Sequence, residues 1–188
     1  YAYFMTAVRG DHDRAHELFE RALAADPTDA NILGNYANFM TAVRGDHDWA
    51  HELFGRALAA DPFRASHLGN YARLLFILGR DVEGENRAVD ALRLAGSNPN
   101  LMAMRAECRF YLFAHVAARR VESGIELQQL LARGVSTGDW SFEGNVGRVR
   151  DAGDDRAALL TALAAALRVG DPAGLDRFQE WRDLPLGD

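Results

Sequence analysis

Lysine is absent from this chain, cysteine occurs once, proline only five times, and no apolar run approaches the roughly 20 residues that a membrane-spanning helix needs. Each shortage excludes a class of protein. The lone Cys108 has no partner for an internal disulfide and no second thiol for a CxxC redox pair, so a disulfide scaffold is excluded and a reducing cytoplasm is the expected compartment. The whole basic complement is 21 arginines against 27 acidic residues, for a net charge of −6. Residues 1–96 hold 10 Arg and 14 acids and residues 97–188 hold 11 and 13, so neither half is basic. Displacing counterions from phosphates needs a basic face, and no nucleic-acid partner is expected, nor a membrane one. No charged-then-apolar leader opens the sequence. GxSxG, GxxxxGK[ST] and HExxH are missing too, which removes the minimal parts of acyl-transfer, nucleotide and zinc-hydrolase chemistry. The expectation is a protein that is not an enzyme, with no catalytic residues, no cofactor and no metal.

What the chain does contain is self-similarity. The run Tyr1 to Pro27 returns at Tyr36 to Pro62, offset by 35 residues, with only three of the 27 positions changed. A more diverged third copy begins at Leu68-Gly69-Asn70-Tyr71-Ala72, matching Leu33-Gly34-Asn35-Tyr36-Ala37, and continues through Gly79 to Ala91-Leu92. Within a unit, Ile32, Leu33, Tyr36, Ala37, Phe39, Met40 and Val43 recur at helical spacing, then Ala50, Leu53, Phe54, Ala57 and Leu58 do so again. Two amphipathic helices per unit are therefore expected. Gly45 supplies the left-handed end of the first, Asp46 caps the orphan amides of the second, and Asp61-Pro62 closes the unit.

Leu33, Tyr36-Ala37, Gly45, Ala50, Phe54, Ala57-Leu58 and Pro62 in this register resemble the tetratricopeptide repeat, a helix-turn-helix unit of about 34 residues, with one residue added. The resemblance covers roughly residues 1–96, read as about three helix pairs with the first truncated at its start, so that the chain looks like a piece of a longer array. It implies an all-α fold, a right-handed solenoid of stacked pairs, in a protein of bacterial type. Residues 97–188 read as a helical capping region. Leu101–Val116 and Val121–Leu131 are apolar-striped, Gly134–Gly138 is a loop, and Ser141 caps a helix to Asp151. Asp154 or Asp155 caps the alanine-rich run to Val169, and Pro172 opens a last helix reaching Trp181. A terminal repeat exposes its apolar face unless covered, and Phe110-Tyr111-Leu112-Phe113 is the expected cover.

In this family the first helices of successive repeats line a concave groove. The resemblance then implies that Asn35 and Asn70 face a partner peptide, whose backbone a carboxamide holds through one donor and one acceptor. Asn38 and Arg73 lie three residues further along, with Arg73 able to pair a peptide carboxylate. The alternative is that Leu-Gly-Asn-Tyr-Ala is a packing signature in which Gly34 and Gly69 let helices approach. The family's lysine-based carboxylate clamp has no lysine here, and the Asn-containing lead is more similar to kinesin-light-chain-type repeats. His12 with His16, and His47 with His51, stand four apart as a zinc pair would require. By register, however, His12 and His47 take a half-buried packing position and His16 and His51 an exposed one. Cys108 is read as a buried inert thiol, and Trp140 and Trp181 as core anchors. The function expected is a scaffold binding a protein or peptide. Self-assembly of near-identical repeats into a homo-oligomer, or a sensor or regulatory domain of a larger signalling protein, are the rival readings.

Overall fold

The computed structural model describes residues 11–185, so the first-helix residues Tyr1–Gly10 of the leading repeat lie outside the described residues. The regular secondary structure of the described residues is all helical, with no strand among them. The repeats supply α1 (His12–Ala25), α2 (Ala30–Phe39), α3 (His47–Ala60), α4 (Ala65–Ile77) and α5 (Asp81–Ala95). Beyond them lie α6 (Met102–His115), α7 (Arg120–Ala132), α8 (Glu143–Asp151), α9 (Ala157–Val169) and the single turn α10 (Gln179–Arg182).

Local chemistry sets the boundaries. Asp11 accepts from the Arg14 amide at 3.0 Å, Asp29 from Asn31 and Ile32 at 2.7 and 2.9 Å, and Asp46 from Trp49 at 3.1 Å, each satisfying an orphan N–H at a helix start. Gly45 and Gly79 close α2 and α4 with φ of 69° and 73°. The added residue is located here as well. Leu33 and Leu68 are 35 apart but Gly45 and Gly79 only 34, so the extra residue lies between Ala37 and Gly45. There the helix widens into a π turn over Met40–Arg44, while the matching stretch after Ala72, one residue shorter before its glycine, stays regular to Ile77. Within the π turn the buried Thr41 hydroxyl donates to the Ala37 carbonyl at 2.9 Å.

From α1 to α7 each helix packs against its neighbours in sequence, most extensively α2 with α3, α4 with α5 and α6 with α7, and α4 also touches α6. Two apolar cores result, and α4 serves both. Tyr71, Leu74 and Leu75 join a cluster with Ala15, Phe19, Leu33, Tyr36 and Phe54, whereas Leu68, Ala72 and Phe76 join one that runs through Ala91, Phe110, Phe113, Leu160 and Trp181. Burial across the 96/97 boundary is therefore continuous. Phe110, Tyr111, Leu112 and Phe113 are all fully covered, by α8, α9 and the C-terminal turn among others. The expected helix from Pro172 to Trp181 is broken instead: Gly174 takes φ 85°, Leu175–Arg177 form one 3-10 turn, and Phe178 is extended before α10. That path buries both Leu175 and Trp181, which a continuous helix from Pro172 would have placed differently.

Two glycines decide how close α4 comes to α2 and α6 to α4. A Cβ on Gly34 would sit 2.4–2.6 Å from the ring of His67, and one on Gly69 would sit 3.2 Å from Cys108 and Met104. Gly55, on the exposed side of α3, has nothing within 4 Å. Gly34→Ala is expected to lose about 1–3 kcal/mol by overpacking, and Gly55→Ala to gain about 0.5–1 kcal/mol from helix propensity. Urea unfolding of the two single variants checks the opposite signs.

Candidate binding cleft

Helices α2 and α4 together build one face, on which helical spacing puts Asn35, Asn38 and Ala42 on one stripe and Asn70, Arg73 and Ile77 on the next. Because Gly34 lets α4 approach, the two stripes touch: Arg73 Nη1 lies 3.4 Å from Asn38 Oδ1. Asn35 is exposed, Asn38 and Asn70 are half-buried, and Arg73 is only 5% exposed. The structure thus brings Asn35, Asn38 and Arg73 together at one cleft of about 520 Å³; Asn70 stands on the same helix as Arg73 but does not line it. Phe19, Phe39, Ala42 and Val43 form the apolar wall, and Thr137, Asp139, Trp140 and Ser141 the opposite side.

That opposite side is a non-helical stretch between α7 and α8. It is pinned at one end by the Thr137 amide donating to the Leu167 carbonyl at 2.8 Å and the Ser136 hydroxyl to the Arg168 carbonyl at 2.6 Å. At the other end Trp140 Nε1 donates to the Tyr111 hydroxyl at 2.7 Å, and the Trp140 ring lies over the Arg73 guanidinium, 4.7 Å from its centre. Beyond it, α8 is fastened to the α4–α5 corner by Arg148, which donates to Asp81 at 2.7 Å and to the Phe76 carbonyl at 2.8 Å. Gly144 leaves room there for Ile77.

The electrostatics below the cleft are unusual. Burial pushes the Glu107 carboxyl up to about 8, with the nearby Arg73 charge pulling the other way, and burial raises the Tyr111 phenol further still. Other covered arginines have carboxylates: the buried Arg109 meets Glu126 at 2.5 Å and Glu122 at 2.9 Å, and the half-buried Arg156 meets Asp154 at 2.6 Å. Arg73 has none within ion-pairing distance among the described residues; its Nε is buried without a hydrogen-bond partner, as is Thr137 Oγ1. A second cleft, about 490 Å³, between the end of α5 and helices α6 and α7 is lined by Arg105, Arg109, Glu122 and Glu126, whose charges pair with one another.

The histidine assignment from register needs correcting. His12 is exposed, whereas His16 and His51 are half-buried, their Nδ1 atoms 3.0 and 2.8 Å from the hydroxyls of Tyr36 and Tyr71. The tyrosine of each first helix reaches back to the preceding second helix, and that contact covers the histidine. His47 is half-buried as expected. Among the described residues no group of three or more His, Cys, Asp or Glu is placed to hold a metal ion. Cys108 is fully buried, and burial raises its thiol well above the usual range. No described helix is long and apolar enough to cross a membrane.

Sequence reading missed Glu107 and Thr137 at this site and named Tyr111 and Trp140 only as core cover and core anchor; both do pack in the core, and each also reaches the cleft floor or wall. Glu107 carried a signal, being a charge inside the apolar stretch Leu101–Val116. Thr137 carried none, since its place depends on where a loop lands. The fold and cleft define the class of an all-helical protein with a built surface cleft. No protein-family model, no curated protein and no solved structure matches the chain.

Buried titrating groups give the fold a pH signature. Burial, aided by Arg64 at His67 and by Arg148 at His115, lowers both imidazoles to about 4 from an ordinary 6.5. Their contribution to stability is intact above pH 6.5 and is lost as pH falls toward 4. Glu107, raised from 4.5 to about 8, contributes fully below pH 4.5 and loses its contribution as pH rises to 8. Glu107→Gln is therefore expected to gain on the wild type as pH climbs from 4.5 to 8 and to hold a constant difference above that, read from urea midpoints across pH.

Proposed function

We propose that the chain is a tetratricopeptide-type array, a right-handed solenoid of helix pairs, whose α2–α4 face receives an extended segment of a partner protein. The observation that carries this reading is the setting of Asn35, Asn38 and Arg73, from two successive repeats, side by side along one open cleft. A carboxamide donates and accepts together, so Asn35 and Asn38 suit a peptide backbone in either direction. Phe19, Phe39 and Val43 offer apolar contact for its alternate side chains. A further support comes from the chain itself. Its own non-helical Thr137–Phe142 stretch already lies against this face, held by a ring over Arg73 and a hydrogen bond to Tyr111.

The test is selection of a displayed library of linear peptides on the immobilised full chain. Asn35→Ala and Asn38→Ala are each expected to weaken the enriched peptides about five- to tenfold, the loss of one or two hydrogen bonds, with helical circular dichroism unchanged. Asn70→Ala, outside the cleft, is expected to have a smaller effect. A library that enriches equally on the Asn35→Ala/Asn38→Ala double variant would remove the groove assignment.

A further inference from the structure

We infer that the cleft under Trp140 is a pocket for a carboxylate carried on an apolar skeleton, with the Arg73 guanidinium as the group that pairs with it. Such a pocket goes beyond the peptide reading, since it concerns one anionic group at one depth of the cleft and stands whether or not a length of backbone binds alongside.

Among the described residues, Arg73 is the only buried charged side chain in the cleft lining, and its surroundings compensate it incompletely. The Trp140 ring face and the Asn38 amide oxygen are a quadrupole and a neutral dipole, each a weak substitute for a counter-charge. Burial holds Glu107 protonated near neutral pH, so the nearest acid below does not neutralise the guanidinium. Arg73 Nε and Thr137 Oγ1 are both buried without hydrogen-bond partners, and both residues line the same cleft from opposite sides. Buried polar atoms are rarely left so, and these two belong to residues that meet across the cleft beside a guanidinium with no carboxylate partner. A carboxylate meets the requirement with two acceptor oxygens, one for the guanidinium and one for the Thr137 hydroxyl, which turns out of its buried position to meet it. The remaining wall asks for apolar substance: Phe19, Phe39 and Val43 lie alongside, and about 520 Å³ is within the range of small-molecule pockets. Asp139, the acid of the lining, does not oppose this, because its side chain is fully in solvent and lies 4.0 Å from Arg168.

The carboxylate can belong to a free small acid or to a peptide end or acidic side chain. The probe is 3-phenylpropionate, titrated into the full chain at about pH 7, where it is ionised, with 3-phenylpropanamide as its uncharged twin. The acid is expected to perturb Trp140 fluorescence, a change that Trp140→Phe abolishes, and to move the Arg73 Nε–H signal in nitrogen–proton spectra. The amide is expected to bind at least about tenfold more weakly. Arg73→Gln is expected to remove binding; Thr137→Val, which leaves the buried cation in place and keeps the test available if Arg73→Gln does not fold, is expected to weaken it about three- to tenfold. Equal binding of acid and amide, or an Arg73 signal unmoved at about 10 mM acid, overturns the inference. Amidating the C-terminus of a display-selected peptide then separates the sources: loss of its effect on the Arg73 signal assigns the carboxylate to a peptide end, an effect that survives amidation assigns it to an acidic side chain, and an Arg73 signal moved by the acid but by no selected peptide assigns it to the free acid. Acid binding without any enriched peptide leaves the pocket standing and ends the groove reading; enriched peptides with no acid–amide difference do the reverse.

Discussion

Two helices share a surface only when their backbones come close enough for side chains from one to lie beside side chains of the other. In this protein that approach is set at Gly34, where the His67 ring fills the volume that a Cβ would take, and again at Gly69, where Met104 and Cys108 lie against the bare backbone. Everything in the cleft follows from it. With α4 seated against α2, Arg73 lies beside Asn38, and with α6 seated against α4, Tyr111 and Glu107 come up beneath Arg73. A wider separation would leave three unrelated polar stripes.

The second determinant is the return of the chain between α7 and α9. Residues beyond α7 do not continue the helix-pair order; α8 packs on α4 and on α6, and the preceding loop lays Trp140 over Arg73. A charge that would have stood at a solvent-facing position is thereby buried without a carboxylate partner. The ion pairs around it, Arg109 with Glu126 and Arg148 with Asp81, show that the fold supplies counter-charges readily elsewhere. The cleft is the place where it does not.

The extra residue of the longer repeats illustrates how a periodic fold absorbs an insertion. An added residue inside a helix rotates everything after it by about 100° unless the ladder locally changes its step. The π turn at Met40–Arg44 takes up that residue before Gly45, and α3 still packs along α2 as α5 packs along α4. Two of its residues, Ala42 and Val43, also line the cleft.

Much of the architecture was legible in the residues alone, because helix formation depends on contacts three and four positions apart and on caps, all of which are local. The near-duplicate at 35-residue spacing, the Gly45 and Gly79 ends, the aspartate caps and the apolar stripes of α2 to α7 determined the all-helical fold and put Asn35, Asn38, Asn70 and Arg73 on the outward stripes of the first helices. What only tertiary packing decided is which of those polar residues meet and which remain in water. His16 and His51 became covered because tyrosines twenty residues on reach back to them, Arg73 became buried because a loop some 65 residues further along ends in a tryptophan that lands on it, and the last helix broke so that Leu175 and Trp181 could both be covered. Such contacts join positions far apart in the chain, and their geometry is the sum of many helix orientations, which no local spacing encodes.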